Sequence, residues 1–254
     1  MIAVETAGLA ALAKLLDGSY VRALDLMSAA RGRAVVSGMG KSGHVGHKIA
    51  ATLSSTGTPA LFVHPAEASH GDLGMITKDD AVLALSNSGE TTELADMVAY
   101  TMRFTIPLVA VTGAADSTLA LAADVSLVLP KSEEACPMGL APTTSTSVMM
   151  ALGDAISVTL LERKGFSSDE FHVLHPGGKL GRRLIKVSDI MHSGEELPLI
   201  NEGSLMSEAL IEMSAKSFGC IIPNLGCPVQ IGQTVGPVEP PSPWRPNEAI
   251  AGEW

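Results

Sequence analysis

The sequence predicts an α/β fold: a doubly wound, five-stranded parallel sheet flanked by helices in three αβα layers. Three observations carry this expectation. Short β-branched runs alternate with helical patterns from about residue 33 to residue 164, the signature of right-handed βαβ units. The strand candidates are continuously apolar, as in Val82-Leu83-Ala84-Leu85 and Leu108-Val109-Ala110-Val111, which suits a parallel sheet covered on both faces. Two of the runs end in loops rich in glycine and hydroxyl groups that open helices, Gly38-Met39-Gly40-Lys41-Ser42-Gly43 and Ser86-Asn87-Ser88-Gly89-Glu90-Thr91-Thr92-Glu93. In open sheets of this kind the ligand sits at the carboxyl ends of the strands.

Taken in order, residues 3–30 read as one or two helices. Leu9, Leu12, Leu15 and Leu16 recur at helical spacing, as do Val21, Leu24, Leu26 and Met27, with Gly18-Ser19 as the candidate break. Strands are expected at 33–37, 59–63, 81–85, 107–111 and 125–129, and helices at 42–56, 91–103, 117–123 and 143–164. Val45, Ile49 and Leu53 repeat every four residues and give the first of these helices one buried stripe. A polar segment follows at 166–187, holding His175-Pro176-Gly177-Gly178 and Gly181-Arg182-Arg183. A short helical pattern returns at 204–215 through Leu205, Ala209 and Met213. Beyond Cys220 the pattern stops. The last 34 residues contain seven prolines, a composition that seldom packs a core, so 221–254 is expected to be irregular or disordered.

The bulk numbers narrow the function classes. The 254 residues, 46% apolar and 17% charged, describe a globular protein with a well-filled interior. A net charge of −10 argues against nucleic acid as a partner, because phosphate backbones attract basic surfaces. No apolar run approaches the roughly 20 residues of a membrane span, and no basic region followed by an apolar stretch marks a signal peptide. Three cysteines, Cys136, Cys220 and Cys227, form no disulfide framework, which fits a reducing cytoplasm.

The two loops are anion cups by chemistry. A helix N-terminus offers free N–H groups and the positive end of a dipole. Gly38, Gly40 and Gly43 also match the dinucleotide fingerprint. That fingerprint wants an acidic residue closing the second strand, and here Leu61-Phe62-Val63 runs into His64-Pro65. Lys41 stands where bare backbone should meet a pyrophosphate. A small phosphorylated molecule with Lys41 as a charged contact fits better. In the second loop Ser86, Ser88, Thr91 and Thr92 cluster around one glycine. A single helix cap explains one hydroxyl, and the cluster points to phosphate.

Acid–base candidates are Glu90, Glu93, Glu133, Glu134, His70 and His175. A solvated helix face, or a first-turn carboxylate favoured by the dipole, accounts for Glu90 or Glu133 taken singly. On spacing alone, His175 reads as an exposed histidine. His64 and His70 flank Glu67 and Asp72 and raise a metal site, without a zinc spacing to support it.

Five motifs in register give a resemblance. The Gly38–Gly43 loop, His64-Pro65-Ala66-Glu67-Ala68-Ser69-His70-Gly71-Asp72-Leu73-Gly74, Ser86-Asn87-Ser88-Gly89-Glu90, Glu134-Ala135-Cys136-Pro137 with Leu140-Ala141-Pro142-Thr143, and His175-Pro176-Gly177-Gly178 resemble the arabinose-5-phosphate isomerases, enzymes of the sugar isomerase (SIS) domain class, over about residues 5–219. The resemblance implies interconversion of D-ribulose 5-phosphate and D-arabinose 5-phosphate through an enediol, supplying Kdo for lipopolysaccharide or capsule. It implies catalytic roles for Lys41, Glu93, Glu134 and His175, and phosphate binding by Ser42, Ser86, Ser88 and Thr91. It implies no required cofactor, with an inhibitory divalent metal such as zinc at His70. It further implies a cytoplasmic homotetramer in which the His175 segment helps complete a neighbour's site. The domain division it suggests is an isomerase domain over 1–187, a partial first CBS motif over 188–220 beginning at Asp189-Ile190-Met191, and the altered tail. Two alternatives remain at this stage: a sugar-phosphate sensor built on the same domain, and a seven-carbon sugar-phosphate isomerase, which would need a metal.

Overall fold

A computed structural model describes residues 1–175 and 187–224. The chain divides into two compact units, Met1–Ile185 and Lys186–Trp254.

The first unit opens with helices α1 (Ile2–Ala13) and α2 (Gly18–Ala29). Gly18-Ser19 do not break the helical pattern but start its second half. Asp17 accepts the Ser19 N–H and caps α2, so the break falls just ahead of the glycine. Five strands follow: β1 (Ala34–Gly38), β2 (Ala60–Phe62), β3 (Ala81–Leu85), β4 (Leu108–Thr112) and β5 (Val125–Val128). All pair in parallel in the order β2-β1-β3-β4-β5. Between them lie α3 (Gly40–Ser55), the short α4 (Pro65–Ala68), α5 (Ala95–Phe104) and α6 (Thr118–Ala122). After β5 come α7 (Thr144–Lys164) and α8 (Ser168–Leu174).

The apolar strands bury both faces, as expected for a covered parallel sheet. Val36, Leu83, Leu85, Val109 and Val111 point into a core shared with α1, α2, α3 and α7. Val35, Val82, Ala84, Leu108 and Ala110 point into the opposite core, closed by α4, α5 and α6. Alternation along an extended strand thus builds the three layers.

The strand order carries the functional consequence. The chain leaves β1 toward β2 on one side, then returns to place β3 on the other. The carboxyl ends of β1 and β3, where Gly38 and Leu85 are in register, flank the point where winding reverses. That crevice is where open α/β sheets bind ligands.

α7 is long and apolar enough to cross a membrane by length and composition, although 44% of its apolar window is buried. Val148, Met149, Leu152, Ile156 and Leu160 lie in the sheet's core beside Ile49 and Leu53 of α3. Its hydropathy therefore reflects a helix at the centre of the unit.

In the second unit, a helical turn at Val187–Ile190 and a longer helix at Met206–Lys216 accompany strands Leu199–Asn201 and Ile222–Asn224, which pair in parallel. Residues 222–224 were expected to be irregular. Backbone pairing with Leu199–Asn201 draws them into a strand although Pro223 lacks an N–H, a residue tolerated at a sheet edge. The expected Pro176-Gly177-Gly178 and Gly181-Arg182-Arg183 features, Cys227 and the tail from 225 onward lie outside the described residues.

Candidate active site

The loop after β3 is built from its own hydroxyls. Ser86 Oγ and Thr91 Oγ1 are 2.7 Å apart, Ser88 Oγ stands 3.5 Å from Ser86 Oγ, and the Gly89 N–H donates to Ser86 Oγ at 3.0 Å. The Glu90 N–H donates to Ser88 Oγ at 3.2 Å. The turn requires Gly89. Its φ is +70°, and a Cβ there would lie 2.0 Å from Ser117 Oγ.

The loop after β1 enters α3 directly. Lys41 and Ser42 sit in the first helical turn, where backbone N–H groups lack intrahelical acceptors. A cation here opposes the helix dipole, at a typical cost of ~0.3–1 kcal/mol. Lys41 is exposed, so its ammonium stays in solvent and takes no part in core packing. Gly43 lets the helix close on the strand, since a Cβ would meet the Gly38 carbonyl oxygen at 2.6 Å.

Together the two loops enclose a cleft of about 360 Å³, lined by Lys41, Ser42, Ser86, Ser88 and Thr91. Five of the sequence-expected site residues therefore meet in one place. Asn87, Ser145 and Thr146 line the same cleft and are not among the residues expected from the sequence. A signal was available: Thr143-Thr144-Ser145-Thr146-Ser147 is a third hydroxyl run opening a helix.

Glu134 lines an adjoining hollow of about 240 Å³ that shares Asn87 and Ser145 with the cleft. Its carboxylate accepts the Thr143 N–H at 2.6 Å, the Thr143 hydroxyl at 3.0 Å and the Ser145 N–H at 3.4 Å. Partial burial raises its pKa, but the donors of Ser145 and Thr143 outweigh burial and hold the carboxyl below its ordinary range. Such a group is an ionised base at neutral pH.

The remaining expected residues do not line this cleft. Glu93 lies on the 3-10 turn Thr92–Leu94 leading into α5, and its carboxylate accepts the Thr92 hydroxyl. His175 closes α8. It stacks on Phe171 with ring centroids 3.9 Å apart, and its Nδ1 lies 2.9 Å from the Phe171 carbonyl oxygen. A carbonyl only accepts, so Nδ1 carries the proton and Nε2 of the neutral ring is the proton acceptor. His70 is exposed, and among the described residues no cluster of three or more His, Cys, Asp or Glu side chains could hold a metal ion. Glu90, unused by the cleft, binds the Thr118 N–H at 2.8 Å and hydroxyl at 2.7 Å.

Comparison with known proteins gives the family of the chain. The SIS domain family matches residues 26–159. The arabinose 5-phosphate isomerase KdsD of Pseudomonas aeruginosa is 55% identical over 212 residues, covering 83% of this chain and 65% of that protein. KdsD of Salmonella typhi is 47% identical over 223 residues, covering 87% and 68%. The chain thus spans about two thirds of the length of these curated relatives. An Escherichia coli CFT073 protein solved in complex with arabinose 5-phosphate superposes with a TM-score of 0.64 at 38% identity, covering 69% of this chain and 95% of that one. The glycine and hydroxyl loops, the parallel sheet that aligns them and these relatives agree: the chain belongs to the SIS domain family, among its arabinose 5-phosphate isomerases.

Proposed function

We propose that this chain interconverts D-ribulose 5-phosphate and D-arabinose 5-phosphate through a cis-enediol. The observation that carries the reading is the cleft at the switch point, where Ser42, Ser86, Ser88 and Thr91 gather around Lys41 with the Glu134 hollow adjoining. The hydroxyls and helix N–H groups hold the phosphate dianion. Glu134 removes a proton from C1 of the ketose. The C–H electron pair becomes the C1=C2 bond, and the C2 carbonyl pair moves to O2, which takes a proton. The O1–H proton then leaves as the C1=O bond forms, and Glu134 returns its proton to C2. A positioned base contributes ~100- to 10,000-fold to such a transfer. Lys41 stabilises negative charge on the enediol oxygens, Glu93 positions Lys41 or relays a proton, and the Nε2 of His175 moves protons on O1 and O2 and opens the sugar ring.

Glu93 and His175 stand off the cleft lining. In the homotetramer, His175 of the partner subunit completes the site. The chemistry needs no cofactor, since protons alone move, and a divalent metal such as zinc at His70 would inhibit. The product supplies Kdo synthesis. Cys136 and Cys220 are free, in keeping with work in the cytoplasm. The test is incubation with ribulose 5-phosphate, with and without EDTA, followed by identification of the product sugar. Arabinose 5-phosphate in both arms is the expected result. Loss in the EDTA arm would indicate a metal-dependent isomerase, and binding without turnover would indicate a sensor.

A further inference from the structure

The Glu134 carboxylate is held asymmetrically. The Thr143 N–H (2.6 Å), the Thr143 hydroxyl (3.0 Å) and the Ser145 N–H (3.4 Å) all end on Oε2, and none of these bonds reaches Oε1. A second bond orients the Thr143 hydroxyl. Its Oγ1 also accepts the Ala135 N–H at 2.8 Å, so its own proton is directed to Glu134. Thr143 is in addition the residue just before α7, where N–H groups that lack helical partners collect. Loop and helix start are therefore clipped together through one carboxylate oxygen.

From this geometry we infer that Thr143 is a positioning residue: it commits Oε2 of Glu134 to the fold and leaves Oε1 as the oxygen that carries the proton between C1 and C2. The inference rests on Glu134 being the carbon-proton base. It assigns a division of labour within one carboxylate. An ionised carboxylate that spends one oxygen on three donors keeps its orientation fixed, while the second oxygen keeps its lone pairs for chemistry. Partial burial works against the charged form, but the Ser145 hydroxyl, then the Thr143 N–H and hydroxyl and the Ser145 N–H, outweigh it and hold the Glu134 carboxyl below its ordinary range. The charged groups around it are Lys131 on the same hollow, neighbouring Glu133, Lys41 across the adjoining cleft, and Glu5 of α1, which takes a hydrogen bond from Ser147 of α7. None of these makes an ion pair with Glu134 among the described residues.

The test compares Thr143→Val, which removes the hydroxyl but keeps the branched shape, with Thr143→Ser, which keeps the hydroxyl and loses the methyl. In Thr143→Val, kcat for ribulose 5-phosphate should fall about tenfold or more, as expected when an orienting charged hydrogen bond is lost. The acid limb of the kcat–pH profile should move to higher pH. KM and competition by inorganic phosphate should stay within about twofold, because the phosphate loop is untouched. Thr143→Ser should restore both kcat and the limb. An unmoved limb in Thr143→Val, or a loss in Thr143→Ser equal to that in Thr143→Val, overturns the proposal. Glu134→Gln separates it from the reading beneath: wild-type turnover there removes Glu134 as the base. Carboxyl ¹³C titration of Glu134 reads the Thr143 effect independently of turnover, and a Glu134 pKa unchanged by Thr143→Val overturns it.

Discussion

The Glu90 carboxylate grips Thr118 at both its N–H (2.8 Å) and its hydroxyl (2.7 Å), tying the loop after β3 to the start of α6 from outside the cleft. The hydroxyl and then the N–H of Thr118 hold the Glu90 carboxyl below its ordinary range. The tie is therefore complete above the ordinary carboxylate pKa and lost as pH falls through the depressed value.

Glu90→Gln should weaken substrate and phosphate binding together. The expected change is a KM and a phosphate inhibition constant raised roughly 3- to 10-fold, with kcat within about twofold, since an exposed charged bond contributes modestly. Steady-state kinetics with inorganic phosphate as competitor measures both. A selective fall in kcat would place Glu90 in the chemistry instead.

Gly89→Ala should be harsher. The residue must hold φ +70°, and its Cβ would come within 2.0 Å of Ser117 Oγ and 2.8 Å of Thr112 Oγ1. Strain and overpacking together should cost at least ~2 kcal/mol of stability. Thermal unfolding with and without phosphate reports both the loss and the failure of phosphate to stabilise.

Lys41→Ala should separate activity from stability. Turnover should fall by roughly 100-fold or more as an oxyanion-stabilising cation is lost. Stability should hold or rise by up to ~1 kcal/mol, because a cation leaves the positive end of a helix. Paired kcat and denaturant midpoints decide it. Lower stability would mean that Lys41 serves the fold.

Ile156→Ala tests the place of α7. Ile156 is fully buried against the sheet, so its truncation should cost about 2–5 kcal/mol. Urea unfolding measures this. A change below ~0.5 kcal/mol would show that α7 does not close the core, because only surface substitutions are so mild.

Much of this architecture was legible in advance because its signals are local. An apolar run such as Val82–Leu85 has to be covered on both faces, and a hydroxyl loop entering a helix has to offer N–H groups to an anion. The start of α7 carries the same local signal in Thr143–Ser147, a hydroxyl run entering a helix. The hydrogen-bond partners of Glu90 and Glu134 were not legible. Each carboxylate finds its donors through a folded loop, Glu90 on a residue 28 positions away and Glu134 on the helix start nine positions on. Residue type alone leaves such a group free to be a solvated side chain, a cap or a base.

The amino-acid order by itself determined the class of fold, the five strands of the sheet and the two loops that hold Lys41, Ser42, Ser86, Ser88 and Thr91, since hydrophobic period and turn chemistry act over a few residues. Only the tertiary structure decided that β1 and β3 are neighbours, and hence that these loops face one cleft. It alone assigned Glu90 to a tether, and it clipped Glu134 by one oxygen to the start of α7. Strand order and carboxylate orientation depend on contacts between distant segments, whose energies no local pattern records.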